Sequence, residues 1–234
     1  MAGRIAVHDV DTPEGPARVH VREAATPAGG TAAGTLVLGH GAGGGFGAAD
    51  LTAVTSAGVA AGWRVVQVEQ PWKVAGRRIA VAPPRLDVAW LAVLEALPEH
   101  VGAAGGLGRL VVGGRSAGAR VACRTAARVG AAGVCCLAFP LHPPGKPEKS
   151  RADELRLVAG SLPLLVVQGL TDPFGGPDEV AAVAGAERVH AVPGDHGMKA
   201  DPKGVAAAVV DWLATLPAPS GKGRSPRSRR PARA

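Results

Sequence analysis

Five short apolar blocks recur along the chain, each separated from the next by a segment long enough to hold a helix. They are residues 35–40 (TLVLGH), 64–70 (RVVQVEQ), 109–114 (RLVVGG), 133–139 (GVCCLAF) and 163–169 (PLLVVQG). Continuous apolar runs, as opposed to strict alternation, mark strands covered on both faces, which is the habit of parallel sheets. A parallel strand also needs a long crossover to its neighbour, usually a helix. The intervening segments meet that need. Residues 50–61 read as helix. From Arg85 onward, Leu86, Trp90, Val93 or Leu94, and Leu97 recur at helical spacing. Further helices are predicted at 117–129, 151–159, 177–184 and 204–216, with a last strand at 187–192. Ahead of the repeat, 4–10 and 17–22 alternate in polarity and are joined by the turn-rich DTPEGP, the mark of an antiparallel hairpin. The expectation is an α/β fold: a mostly parallel, doubly wound sheet with an N-terminal antiparallel hairpin.

The 234 residues suffice for one domain with its own core, and 47% of them are hydrophobic. The domain is predicted to span 1–216. Residues 217–234 form a Pro/Ser/Arg-rich extension that cannot build a core, and it is expected to be disordered. Of the 26 Lys and Arg residues, the extension holds Lys222, Arg224, Arg227, Arg229, Arg230 and Arg233, with no acid. The formal net charge of +7 is therefore mostly a property of the tail, and the body is near neutral. Weak, salt-sensitive contact with polyanions is the most such a tail offers. No secretory signal is visible at the N-terminus and no stretch approaches a membrane span. Cys123, Cys135 and Cys136 lack metal-ligand spacing. They read as buried, reduced thiols, so a cytoplasmic location is expected.

In doubly wound sheets ligands bind beyond the carboxyl ends of the strands, and several chemistry-bearing residues fall there. Ser116 sits in GGRSAG, between a strand and a helix. Such a sharp turn lifts a hydroxyl out of the sheet, and Gly114 and Gly118 remove side chains that would collide across it. A serine hydroxyl is a poor nucleophile unless a base takes its proton, and the base needs an orienting acid. Asp172 follows one strand in QGLTDPF, and His196 follows the last in PGDHGMK. The order Ser, Asp, His, each on a post-strand loop, suits this architecture. Asp195 is a rival acid. The glycine-rich LGHGAGGGFG follows the strand at 35–39, where backbone N–H groups can face a developing oxyanion. Ala42 and Gly43, with Ala117, are assigned to that hole. Phe46, Arg77, Arg115 and His142 are candidate substrate-lining residues, and the cations among them would steer an anionic substrate.

Together HGAGG, GGRSAG, FPLHPPGKPEK, VQGLTDPFG and DHGMK resemble the α/β-hydrolase fold, in the size range of dienelactone hydrolase. More narrowly, the chain resembles the small hydrolase-like proteins named after a testis-expressed protein and a subunit of a chromatin acetyltransferase complex. The resemblance runs from about residue 33 to 215, and LHPPGKPEK is its most specific part. It implies Ser116 as nucleophile, Asp172 as acid and His196 as base, acting on small ester-type substrates without cofactor or metal. Only 140–162 separate two adjacent strands, so no large cap domain is expected. Membership does not by itself imply activity, and a catalytically silent interaction module is the alternative. A second alternative is a dinucleotide-binding protein, since Gly39, Gly41 and Gly44 match G-x-G-x-x-G and Glu69 ends the next strand. Oligomeric state is not legible.

Overall fold

The structure is a computed structural model that describes residues 5–26, 30–43, 45–101 and 106–217. Eight strands form one sheet: β1 (Ile5–Val10), β2 (Ala17–Arg22), β3 (Thr35–Gly39), β4 (Arg64–Glu69), β5 (Leu110–Arg115), β6 (Gly133–Leu137), β7 (Leu164–Gly169) and β8 (Val189–Val192). Their spatial order is β1-β2-β4-β3-β5-β6-β7-β8. β1 and β2 form the expected hairpin, β2 joins β4 antiparallel, and every pairing from β4 to β8 is parallel. The helices are α1 (Ala49–Ala60), α2 (Pro71–Val74), α3 (Pro83–His100), α4 (Ala117–Thr125), α5 (Ala152–Ala159), α6 (Pro177–Ala184) and α7 (Pro202–Thr215).

The period-two geometry of a strand divides the core into two layers. Leu36, Leu38, Val65, Val111, Cys135, Leu165 and Val167 face one side, where Leu51 and Val54 of α1 and Val205, Val209 and Leu213 of α7 cover them. Val37, Val66, Val112, Val134, Cys136 and Val166 face the other, beneath Trp90, Val93 and Leu97 of α3 and Ala119 and Ala122 of α4. Each apolar block read from the sequence therefore feeds both layers, which is why those blocks do not alternate. All three cysteines are buried and free, and burial pushes the Cys135 thiol up to about 12.

Several element boundaries differ from expectation for local reasons. α4 ends at Thr125 and not at 129, because beyond it the chain tightens into turns, with the Arg128 N–H donating three residues back to the Thr125 carbonyl at 3.0 Å, before Gly130 at φ 63° leads the chain out. β6 ends at Leu137, since Ala138 adopts φ 47°. α7 begins two residues early: Asp201 accepts from the Gly204 N–H at 2.8 Å, and Pro202 suits the first helical position. The loop expected after β4 contains α2, a single turn opened by Pro71 and too short for any periodicity to reveal. Between β6 and β7 lie only a 3-10 turn at Pro147–Lys149 and α5, so the fold carries no large cap domain. Of the extension predicted at 217–234, all but Pro217 lies outside the described residues.

Candidate active site

Ser116 connects β5 to α4 with φ 53° and ψ −109°, a conformation costly for any residue with a Cβ. Two neighbours hold it there. Its own N–H donates to the Leu137 carbonyl at 2.9 Å. The glycines around it let α4 sit against β3: a Cβ on Gly118 would stand 2.5 Å from the Gly39 carbonyl carbon and oxygen, and one on Gly114 2.4 Å from the same oxygen. Either substitution would drive backbone against backbone. Tight packing of the helix onto the strand thus leaves the serine at the carboxyl edge of the sheet.

The Ser116 hydroxyl lies 2.9 Å from His196 Nε2, and His196 Nδ1 lies 2.8 Å from Asp172 Oδ2. A carboxylate only accepts, so Nδ1 carries the proton and Nε2 is free to accept from the serine. The Asp172 side chain is fully buried and satisfied on both oxygens. Oδ1 accepts from the Phe174 N–H at 2.8 Å, and Oδ2 also accepts from Gln168 Nε2 at 2.9 Å. The Phe174 ring packs on the His196 ring with centroids 4.2 Å apart. Asp195 turns away: its Oδ1 accepts from the Gly197 N–H at 2.8 Å, capping its own turn.

Gln168 and Asp50 were not among the candidates from sequence. Gln168, at the end of β7, is fully buried. Its Oε1 accepts from the Phe139 N–H, and its amide nitrogen reaches the carbonyls of Phe139 and Gly175 as well as Asp172. One side chain therefore ties the loop after β6 to the loop that carries the acid. Asp50, in the first turn of α1, is also fully buried. Its Oδ2 stands 3.2 Å from Arg115 Nε, while Arg115 Nη2 donates to the His196 carbonyl at 2.7 Å. Burial raises the Asp50 carboxyl above the ordinary aspartate value, against the pull of Arg115. Residue 115, next to the serine, thereby holds the loop of the histidine.

The glycine-rich loop is pinned at both ends. His40 is buried, accepts from the Gln70 N–H at 3.1 Å through Nε2, and meets the Gly41 carbonyl at 2.9 Å through Nδ1, which fixes the Nδ1–H tautomer. Burial holds its pKa below the ordinary histidine value. Further along, Gln67 Nε2 donates to the Phe46 carbonyl at 2.9 Å. Between these anchors Ala42 and Gly43 border an open cleft of about 520 Å3. Ser116, Ala117, Phe174 and His196 border the same cleft. Ala117 opens α4, so its N–H has no intrahelical acceptor.

The four residues expected to line the substrate are dispersed. Arg115 borders the cleft. Phe46 stacks on His20, with ring centroids 4.1 Å apart, and is not among the cleft residues. Arg77 borders a separate cavity of about 250 Å3, shared with Glu14, Trp72 and Arg85. His142 is turned toward the Pro143 carbonyl and Glu179, each at 3.0 Å, and these acceptors raise its pKa. Arg120, Arg151 and Lys199 border the cleft instead. As for the dinucleotide motif, Gly39 packs against Gly118 and Gly41 lies against Ser116, while Gly44 falls outside the described residues.

A sheet of this order, with a serine on a strained strand-to-helix turn beyond its carboxyl edge, is the architecture of the α/β-hydrolases. The alpha/beta hydrolase domain model matches residues 32–207, and the chain belongs to that family. Among solved structures, a serine hydrolase without lid from Xanthomonas campestris is similar at 20% identity, covering 92% of this chain and 97% of its own, with a TM-score of 0.66. An alpha-beta serine hydrolase homologue from Coxiella burnetii gives 16% identity, coverage of 93% and 99%, and a TM-score of 0.69. An esterase from Pyrococcus furiosus gives 14%, coverage of 92% and 91%, and 0.68. These likenesses are of fold. A search of curated proteins finds no match. Among the described residues, no helix is long and apolar enough to cross a membrane.

Proposed function

We propose that the protein is a serine hydrolase acting on small ester-type substrates through Ser116, His196 and Asp172. One observation carries the reading: the serine on the strained turn, the imidazole and the buried carboxylate lie in a single hydrogen-bonded line of 2.9 and 2.8 Å. Similar structures, a lidless serine hydrolase and an esterase among them, support the same chemistry.

In this reading the Ser116 proton passes to His196 Nε2 as Oγ bonds to the ester carbonyl carbon. The carbonyl oxygen becomes an oxyanion, which the N–H groups of Ala42 or Gly43 and of Ala117 stabilise. Asp172 stabilises the imidazolium and holds its tautomer. The intermediate collapses, its C–O bond breaks, and the alcohol leaves with the proton from Nε2. Water then attacks the acyl-serine, again giving its proton to His196, and the acid departs as Oγ is reprotonated. The net reaction is ester plus water to acid plus alcohol.

The test is labelling of the purified chain with a fluorophosphonate, mass spectrometry of the adduct, and turnover of a short-chain aryl ester. Ser116→Ala should abolish both signals. His196→Ala should lower turnover by several orders of magnitude, and Asp172→Asn should cost far more than Asp195→Asn, because the three groups act as a unit. An adduct on another serine, or an Asp195 effect exceeding that of Asp172, overturns the assignment. A correctly folded chain with neither labelling nor turnover would be a silent member of the family.

A further inference from the structure

We propose that the cleft selects esters that carry a second, anionic group, a carboxylate, and that Arg151 and Lys199 bind it. The inference deepens the hydrolase reading and rests on it. The cleft is bordered by four cations, Arg115, Arg120, Arg151 and Lys199, and by no carboxylate residue. Two of the four are already neutralised. Arg115 faces buried Asp50, and Arg120 makes a two-pronged pair with Glu154 at 2.6 and 2.7 Å. Arg151 and Lys199 have no carboxylate within ion-pair distance among the described residues.

Arg151 is built in, not loosely solvated. Its N–H donates to the Leu141 carbonyl at 2.7 Å, and its Nη1 donates to the Pro140 carbonyl at 2.8 Å. Among the described residues no other hydrogen bond occupies the guanidinium, so Nη2 and Nε remain for a ligand. Burial and then the nearby Arg120 lower its pKa and make its charge harder to hold, and the attraction of Glu154, which is bonded to Arg120 and Arg124, offsets them only in part. An anion in the cleft would relieve that cost. Lys199 borders the same cleft from the loop that carries His196, three residues beyond it, and is exposed. The missing cap matters here. Where many hydrolases cover the site with an inserted domain, this chain has only the short connection from β6 to α5, and that connection delivers Pro140 and Arg151 to the rim. In so open a cleft, apolar enclosure of a substrate is small, and fixed charge is the recognition the rim retains.

The test compares each anionic ester with its neutral methyl ester on the full chain. Para-acetoxybenzoate places the carboxylate on the leaving group, and the mono(para-nitrophenyl) ester of adipate places it on the acyl group. The expected result is a kcat/KM at least about ten-fold higher for the anion of one pair, an advantage that shrinks as salt is raised. Arg151→Gln and Lys199→Gln should each lower that ratio, and the double variant should bring it near one. Lys199 is exposed, so its variant will fold even if Arg151→Gln does not. Equal rates within both pairs, or a preference that survives the double variant, overturn the proposal while leaving the hydrolase reading intact. If the chain turns nothing over, NMR titration with the inert amides, para-acetamidobenzoate and adipate monoanilide, against their methyl esters still decides. The anions must bind more tightly than the methyl esters and lose that advantage in the double variant, and equal affinity overturns the proposal.

Discussion

At Ser116 the backbone holds a conformation that its side chain disfavours, and the surroundings enforce it. Residues at such angles cost about 1–3 kcal/mol. Ser116→Gly should therefore remove the strain along with the hydroxyl. After allowing for the greater freedom of glycine in the unfolded chain, a net gain of about 1 kcal/mol in urea-denaturation stability is expected, with turnover lost. An equal or lower stability would mean that φ 53° is not strained here. Gln168 offers a second test at this scale. Gln168→Glu keeps the shape but sets a carboxylate where Nε2 now donates to Asp172 at 2.9 Å. Two carboxylates that close cannot both ionise cheaply, so a proton is drawn into the pair. Turnover should fall at least about ten-fold, and the acid limb of the pH–rate profile should move to higher pH. An unmoved profile would show that Gln168 only fills space. Ser116, Asp172 and His196 drew notice in the sequence because each lies on a loop within a few residues of a strand end and has chemistry of its own. Gln168 and Asp50 did not, because their roles come from the groups they meet across the fold, and an amide or a first-turn aspartate carries no local signal.

Among the elements, those with a periodicity to read were the legible ones. The strands of the parallel sheet and α3 showed themselves through apolar runs and helical spacing, and the lack of room between β6 and β7 excluded a cap. The single turn of α2 and the early end of β6 escaped, since one depends on four residues and the other on a positive φ at Ala138. The rim cations escaped for a related reason. Arg151 and Lys199 come from separate loops, and nothing in either loop reports that the two face one cleft. The loop after β3 gives this scale its prediction. His40 locks that loop to Gln70 and Gly41 only as a neutral imidazole, and burial lowers its pKa from 6.5. Below 6.5 the unfolded chain therefore takes up the proton first, and stability falls as pH drops toward the folded-state value. His20 is shifted the same way by burial, so the native protein alone cannot isolate the effect. His40→Gln keeps an acceptor for the Gln70 N–H but cannot titrate. The variant should be about 1–2 kcal/mol less stable near pH 7, and the gap should narrow as denaturation is followed toward pH 5. A gap independent of pH would contradict the neutral, buried His40.

For the whole molecule the question is where the packed domain stops. The charge distribution puts the boundary at residue 217, yet Arg109 Nη1 donates to the carbonyls of both Leu216 and Pro217, at 2.8 and 2.6 Å. Arg109 also lies over the Trp63 ring, 4.8 Å from its centroid, so the end of α7 is fastened at the amino edge of the sheet, where β4 and β5 begin, opposite the carboxyl edge that carries the candidate site. The cut that respects these contacts falls after Pro217. Removing residues 218–234 deletes six basic residues and no acid, taking the formal net charge from +7 to near neutral. All the cleft and core residues named above remain in the shortened chain. Turnover of a neutral aryl ester and the melting temperature should therefore match those of the full chain, while elution from heparin should move to lower salt. The anionic ester gives a sharper comparison. If Arg151 and Lys199 supply the selectivity, the ratio of anionic to neutral turnover stays the same after truncation. If the tail's charge supplied it by long-range attraction, the ratio would fall with the tail. A lower melting temperature would instead mean that the domain extends beyond Pro217.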